Sequence, residues 1–241
     1  MMKNKKLLVL VLALSLLIVA CGKKISKDEI DGGETFKYVH QGGFYLNNKN
    51  VAVPVEEAKN KKIVEWYTEP ICPFCVKLNG ETKPYLKDVQ DDNTLIKYVP
   101  LTFLGKTGAK DEVTYSDVIT GIWLSMAEHD PELVGKYYEL TSSEEWLNKL
   151  QESPNQNQTI HEAYAITLSG KNWDKIFGDL EKFMQVSKNS TEYIKTDKEL
   201  ASKTKDGKLT TPTLYVQGAE KAVDIYDESN LKTNIEEALG K

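Results

Sequence analysis

Between Lys62 and Pro100 the chain reads as strand, helix, strand, and the helix opens on Cys72-Pro73-Phe74-Cys75. Lys62-Ile63-Val64-Glu65-Trp66-Tyr67 is apolar enough for a central strand, and Leu95-Ile96-Lys97-Tyr98-Val99 forms a second, ending at Pro100. The intervening pattern predicts a helix from Cys75 to Asp92, with Val76, Leu78, Leu86 and Val89 inward and Gly80 and Pro84 as points of weakness or kinking. Two strands joined through a helix pair in parallel by a right-handed crossover, so this stretch commits the chain to an α/β architecture. A helix start carries unpaired backbone N–H groups and partial positive charge. Both favour a thiolate on the first cysteine, and the thiolate is the reactive form.

The flanks extend this unit unevenly. Thr35 to Val39 alternates as a strand does, Gln41-Gly42-Gly43 reads as a turn, and Phe44-Tyr45-Leu46 continues the sheet. Val55 to Lys61 is a short helical or irregular link. From Asp117 to Glu128 apolar residues recur at helical spacing (Ile119, Ile122, Trp123, Met126), with Ser116 or Asp117 as the expected N-cap. Helical signals continue through Leu133–Leu140, Glu144–Leu150, His161–Leu168, Asn172–Val186 and Thr191–Thr204. Strand character returns at Pro212–Val216, turns at Gln217-Gly218, and resumes as an expected hairpin strand at Ala222–Tyr226. A last helix, capped by Asp227 or Ser229, places Leu231, Ile235 and Leu239 on one face. The expected organisation is an α/β core formed by 34–105 and 207–241, interrupted by an all-helical insertion at 106–206.

The first residues are a separate matter. Lys3, Lys5 and Lys6 precede an apolar run from Leu7 to Ala20, too short for a comfortable membrane span and suited to a signal-peptide core. The run ends in Ile18-Val19-Ala20-Cys21-Gly22, which resembles a bacterial lipoprotein cleavage site. That resemblance implies a signal peptide over 1–20, a lipid on Cys21 and a polar tether over 21–33, with the protein held at the cell membrane on its extracytoplasmic face. Lipidation of Cys21 leaves Cys72 and Cys75 as the only thiols, on the side of the membrane where disulfides persist. Without the first three lysines, 28 lysines face 36 acids, a net charge of −8 that argues against nucleic acid as a partner.

A lone C-x-x-C is compatible with half a zinc site, a structural disulfide or a redox centre. Zinc needs about four ligands, whereas no second C-x-x-C exists and His40, His129 and His161 are scattered. A structural bridge closing so short a loop constrains the unfolded chain little. The strand before and the helix after favour redox chemistry. No flavin, haem or nucleotide motif is present, so no metal and no cofactor is expected beyond the cysteine pair.

Glu65-Trp66-Tyr67-Thr68-Glu69-Pro70-Ile71-Cys72-Pro73-Phe74-Cys75 resembles the active-site segment of the DsbA-like branch of the thioredoxin superfamily. Pro84, Val99-Pro100-Leu101, the helical block and Lys208-Leu209-Thr210-Thr211-Pro212-Thr213-Leu214-Tyr215-Val216 fall where that branch has its helix proline, the end of its next strand, its helical insertion and its cis-proline loop. The resemblance covers most of the chain from about Glu34 and implies a thioredoxin-like fold with an inserted helical domain. It implies that Cys72 is the exposed nucleophile, Cys75 the more buried resolving thiol, Thr211 and a cis Pro212 the ledge against which a substrate strand lies, and Glu65 a buried acid that moves protons to and from Cys75. Pro73 and Phe74 tune the pair. Oxidants of the branch often carry histidine where this chain has Phe74, and phenylalanine supplies no positive partner for the Cys72 thiolate. Glu69 and Pro70 are expected to shape the rim.

The implied activity is that of a membrane-anchored thiol–disulfide oxidoreductase, oxidising cysteine pairs in exported proteins and reset by a membrane or soluble redox partner. A disulfide reductase of the same fold is the same-class alternative. A redox-inactive surface binding lipoprotein is the alternative of a different class, because a fold alone does not establish an activity.

Overall fold

The computed structural model describes residues 24–104, 112–152 and 172–241. The expected signal peptide, Cys21 and the helix expected at His161–Leu168 lie outside them. No helix among the described residues is long and apolar enough to cross a membrane.

The centre is a mixed sheet built from β1 (Val39–His40), β2 (Gly43–Leu46), β3 (Ala52–Val53), β4 (Lys62–Thr68), β5 (Thr94–Pro100) and β6 (Thr213–Val216). Its order is β1-β2-β5-β4-β6, with β3 paired to β2. β4 and β5 are parallel from Lys62 opposite Thr94 to Thr68 opposite Pro100, as the crossover requires, while β2 and β6 close the flanks antiparallel. Their connection is α2 (Pro73–Val89), which follows the one-turn α1 (Val55–Ala58) in chain order. Gly80 and Pro84 do not end α2, which stays helical to Val89 with Leu78, Leu86 and Val89 held in the core.

Both faces of the sheet are covered, and side-chain alternation decides which residue serves which face. Val64, Trp66, Ile96, Tyr98, Leu214 and Val216 point into the main core. Their neighbours Tyr67, Val99 and Tyr215 point the other way, into a second cluster with Ile194 and Leu200. The main core is sealed by α2, by the helical block and by α9 (Leu231–Ala238), whose Leu231 and Ile235, with Leu239 just beyond, are buried.

The helical block comprises α3 (Tyr115–His129), α4 (Val134–Thr141), α5 (Glu144–Glu152), α6 (Trp173–Gly178), α7 (Leu180–Thr196) and α8 (Lys198–Lys203). The N-cap of α3 is Thr114, not Ser116 or Asp117. Thr114 Oγ1 accepts the Asp117 N–H at 3.2 Å, and Asp117 Oδ2 accepts the Thr114 N–H at 2.9 Å, a reciprocal box that places the cap one turn before the acid. α3 is almost wholly buried and crosses α7 at Gly121, where an added Cβ would lie 2.6 Å from Met184 Cγ, so only glycine permits that approach. α7 runs unbroken through the point where two helices were expected, and the break falls instead at Asp197, which caps α8 by accepting the Leu200 N–H.

Two expected strands are reduced. Of Thr35–Val39 only Val39 enters the sheet, where it pairs as β1 together with His40. Ala222–Tyr226 alternates inward and outward as expected, with Val223 and Ile225 buried and Asp224 and Tyr226 out. Its backbone makes a single bond to β6, Val223 N–H to Leu214 C=O at 2.9 Å, so it packs as an extended segment and does not form a strand.

Candidate active site

β4 ends at Thr68, Glu69 to Ile71 turn the chain, and Cys72 is the N-cap of α2 with Pro73 in the first helical turn. Proline suits that position because its missing N–H would have no helical partner there. Cys72 therefore places its sulfur where a capping oxygen ordinarily sits. The Cys75 N–H donates to Cys72 Sγ at 3.4 Å, and Cys72 Sγ lies 3.7 Å from the Thr211 carbonyl oxygen across the site. The Thr211–Pro212 peptide bond is cis, as expected.

Both cysteines are thiols here and both are buried, Cys72 at 5% and Cys75 at 2% exposure. The exposed nucleophile expected from the sequence is thus partly roofed, because the loop bearing Thr211 comes down onto it. Acidity separates the two sulfurs far more than exposure does. The Cys75 thiol, and then the Cys75 amide, the Thr211 hydroxyl and the Phe74 amide, donate to Cys72 and outweigh the opposing effect of burial, bringing its pKa from 9.0 to about 6. That fall is worth about 4 kcal/mol. A helix dipole supplies roughly 0.3–1 kcal/mol, so the aimed donors carry most of it. Burial pushes the Cys75 thiol far up, and the neighbouring Cys72 charge adds to the effect.

Phe74 is 64% exposed, so its side chain stands at the mouth of the site and only its amide acts on Cys72. Tyr226, 62% exposed, stands nearby, and its phenol pKa is raised by desolvation first and then by the charges of both sulfurs. Beside the Thr211–Pro212 loop runs a 500 Å³ groove lined by Lys203, Lys205, Lys208, Pro212, Val223 and Tyr226, among others.

Glu65 is buried, but on the sheet face opposite α2. It accepts the Tyr67 O–H at 2.6 Å and a Gln217 side-chain N–H at 2.8 Å, and its register partner across β5 is Lys97. Lys97 is itself buried, and burial lowers its pKa against the opposing pull of Glu65. The alternation of β4 turns Glu65 to the Tyr67 side, and its hydrogen bonds belong to this cluster.

A second buried acid, Glu69, which was expected at the rim and is 1% exposed, lies within electrostatic reach of Cys72. Its Oε1 accepts the Leu104 N–H at 2.7 Å and the Ser116 O–H at 3.1 Å. Its backbone carbonyl accepts the Cys72 N–H at 3.3 Å. The only signal in the sequence was a carboxylate three residues before Cys72. Its burial depends on α3 and the end of β5 closing over it, which no local pattern reveals.

No protein-family model matches this chain, and no curated protein does. Among solved structures, the chain is similar in fold to reduced DsbA from Mycobacterium tuberculosis, with 16% identity, 83% of this chain and 93% of that one aligned, and a TM-score of 0.56. It is also similar to MdbA, a thiol-disulfide oxidoreductase from Actinomyces oris, with 12% identity over 90% and 97% of the two chains and a TM-score of 0.57. A third likeness is to the catalytic domain of Proteus mirabilis ScsC, with 14% identity over 85% and 93% and a TM-score of 0.51. At such identities the likeness is one of fold: an α/β, DsbA-like thioredoxin core with a helical insertion.

Proposed function

We propose that this chain is an extracytoplasmic thiol–disulfide oxidoreductase, tethered to the membrane through lipid on Cys21, that oxidises cysteine pairs in exported proteins. The observation that carries the reading is the contrast within the pair. Cys72 is an acidic thiol under aimed donors, and Cys75 is a neutral thiol kept so by burial. A sulfur with a low pKa is a good leaving group, and stabilising it makes the protein disulfide easier to reduce, hence more oxidising.

The steps follow from that asymmetry. A substrate thiolate attacks Cys72 Sγ of the Cys72–Cys75 disulfide. The S–S bond breaks, and Cys75 leaves and takes a proton. In the resulting mixed disulfide, a second substrate thiolate attacks the substrate sulfur and expels Cys72 as a thiolate. The substrate leaves as a disulfide and the pair is left reduced, to be restored by an external oxidant. The groove beside Pro212, with exposed Phe74 and Tyr226 at the mouth, suits an extended polypeptide lying across Cys72. With domain limits of 34–105 plus 207–241 and 106–206, both cysteines and the Thr211 loop that roofs Cys72 belong to the sheet domain, and the helical block reaches Glu69 through Ser116.

The test is a Cys75→Ala variant expressed in full. With resolution blocked, it accumulates mixed disulfides through Cys72 that reductant releases, and their partners identify the substrates. An absence of trapped partners in cells, with Cys72 still titrating as an acidic thiol, overturns the reading. The direction is read from the Cys72/Cys75 potential: a value near −120 mV agrees with an oxidase, and one near about −270 mV with a reductase.

A further inference from the structure

The second proton of the exchange needs a place. Oxidation of a substrate dithiol releases two protons. Cys75 takes one. Cys72, which remains a thiolate near neutral pH, does not take the other.

Glu69 is placed to receive it. Its backbone carbonyl is bonded to the Cys72 amide, and its carboxyl is sealed under Leu104 and Ser116. The two oxygens are unequal. Oε1 is held as an acceptor by two donors, while Oε2 is buried with no hydrogen-bond partner among the described residues. A buried carboxylate oxygen without a donor is costly, and the cost is relieved when that oxygen carries a proton.

We propose that Glu69 is a positioning residue that acts on Cys72 through charge, taking a proton on Oε2 when Cys72 becomes a thiolate and releasing it when the Cys72–Cys75 disulfide forms. The inference rests on the oxidoreductase reading. The balance closes: substrate dithiol, protein disulfide and Glu69 carboxylate give substrate disulfide, Cys72 thiolate, Cys75 thiol and Glu69 carboxylic acid. Two electrons pass to the protein, both protons are retained, and the total charge is unchanged.

Burial raises the carboxyl pKa from 4.5 to about 7, and the Cys72 charge adds to this against the amides of Leu104 and Phe103 and the Ser116 hydroxyl. Among the described residues the groups around the carboxyl are therefore Cys72 from the active-site turn, the uncharged amides of Phe103 and Leu104 beyond β5, and Ser116 from α3. Asp117, next on α3, is turned to the Thr114 cap.

The experiment measures the equilibrium of the full-length protein with glutathione across pH 6 to 7, for wild type and Glu69→Gln, which keeps an acceptor for Leu104 and Ser116. Glutathione needs two protons per disulfide reduced. In wild type Cys75 supplies one and Glu69 part of the other, so the equilibrium constant changes less with pH. In E69Q solvent supplies the proton that the Cys72 thiolate lacks, and with a Cys72 pKa of about 6 the constant changes about fivefold from pH 6 to pH 7. Equal pH dependence in the two proteins overturns the inference while leaving the oxidoreductase reading intact. Failure of wild type to equilibrate with glutathione at all removes both. Should E69Q not fold, infrared titration of the buried carboxyl serves instead: it ionises at lower pH in Cys72→Ala than in the reduced wild type, and an unmoved titration overturns the inference.

Discussion

Thr211 acts on Cys72 in two ways: its carbonyl oxygen lies 3.7 Å from the sulfur, and its hydroxyl side chain lowers the Cys72 pKa. Only the second depends on the side chain. Thr211→Val keeps the shape and removes the hydroxyl, so the Cys72 thiolate loses one charge-assisted hydrogen bond, worth about 1.5–3 kcal/mol. The expected outcome is a rise in the Cys72 pKa of about one pH unit or more from about 6. The midpoint of the Cys72 alkylation rate against pH reads it, and an unmoved midpoint shows that the backbone donors suffice. The residues of the pair and of this loop were legible in the sequence because C-x-x-C and Thr-Pro are local signatures. The roles of the two acids were not. Glu65 and Glu69 are both buried carboxylates four residues apart, and which of them comes within electrostatic reach of Cys72 depends on strand alternation and on what closes over the turn.

At the scale of elements, β4 and β5 bring two buried ionisable side chains opposite each other, Glu65 and Lys97, coupled through charge, while Tyr67 and Gln217 hydrogen-bond Glu65. Such pairs gain little over an apolar replacement but are expensive to break on one side. Lys97→Met is expected to cost about 3–5 kcal/mol, read as a lower urea midpoint, and the double variant E65Q/K97M to recover most of that loss. Additive losses in the double variant would show that the two charges are not coupled. The same two strands were plain from their apolar runs, because both faces of a central parallel strand are buried. The 222–226 segment misled for the opposite reason. Alternation reports burial, which Val223 and Ile225 do have, but it does not report pairing, and only one ladder bond forms.

Across the whole molecule, Glu69 joins three parts: the turn after β4, the chain beyond β5 at Leu104, and the start of α3 at Ser116. Its carboxyl is neutral at a pH where an unfolded chain would ionise it. A folded pKa raised from 4.5 to about 7 contributes stability that is fully present below 4.5 and is lost as the pH rises through about 7. The reduced wild type should therefore lose about 3 kcal/mol relative to E69Q between pH 4.5 and pH 8. Urea unfolding at the two pH values measures it, and parallel pH profiles would show that the acid is not buried at this junction.

By itself the sequence determined the crossover unit, the cysteine pair at a helix start, the helical interruption and the Thr211–Pro212 loop, since each is written in neighbouring residues through period, cap or turn chemistry. Only the tertiary structure decided which acid comes within electrostatic reach of Cys72, how deeply Cys72 lies under the Thr211 loop, and which donors converge on it. Those depend on distances between residues 35 to about 140 positions apart along the chain, from Glu69–Leu104 to Cys72–Thr211, and electrostatics in a site follows distance and burial.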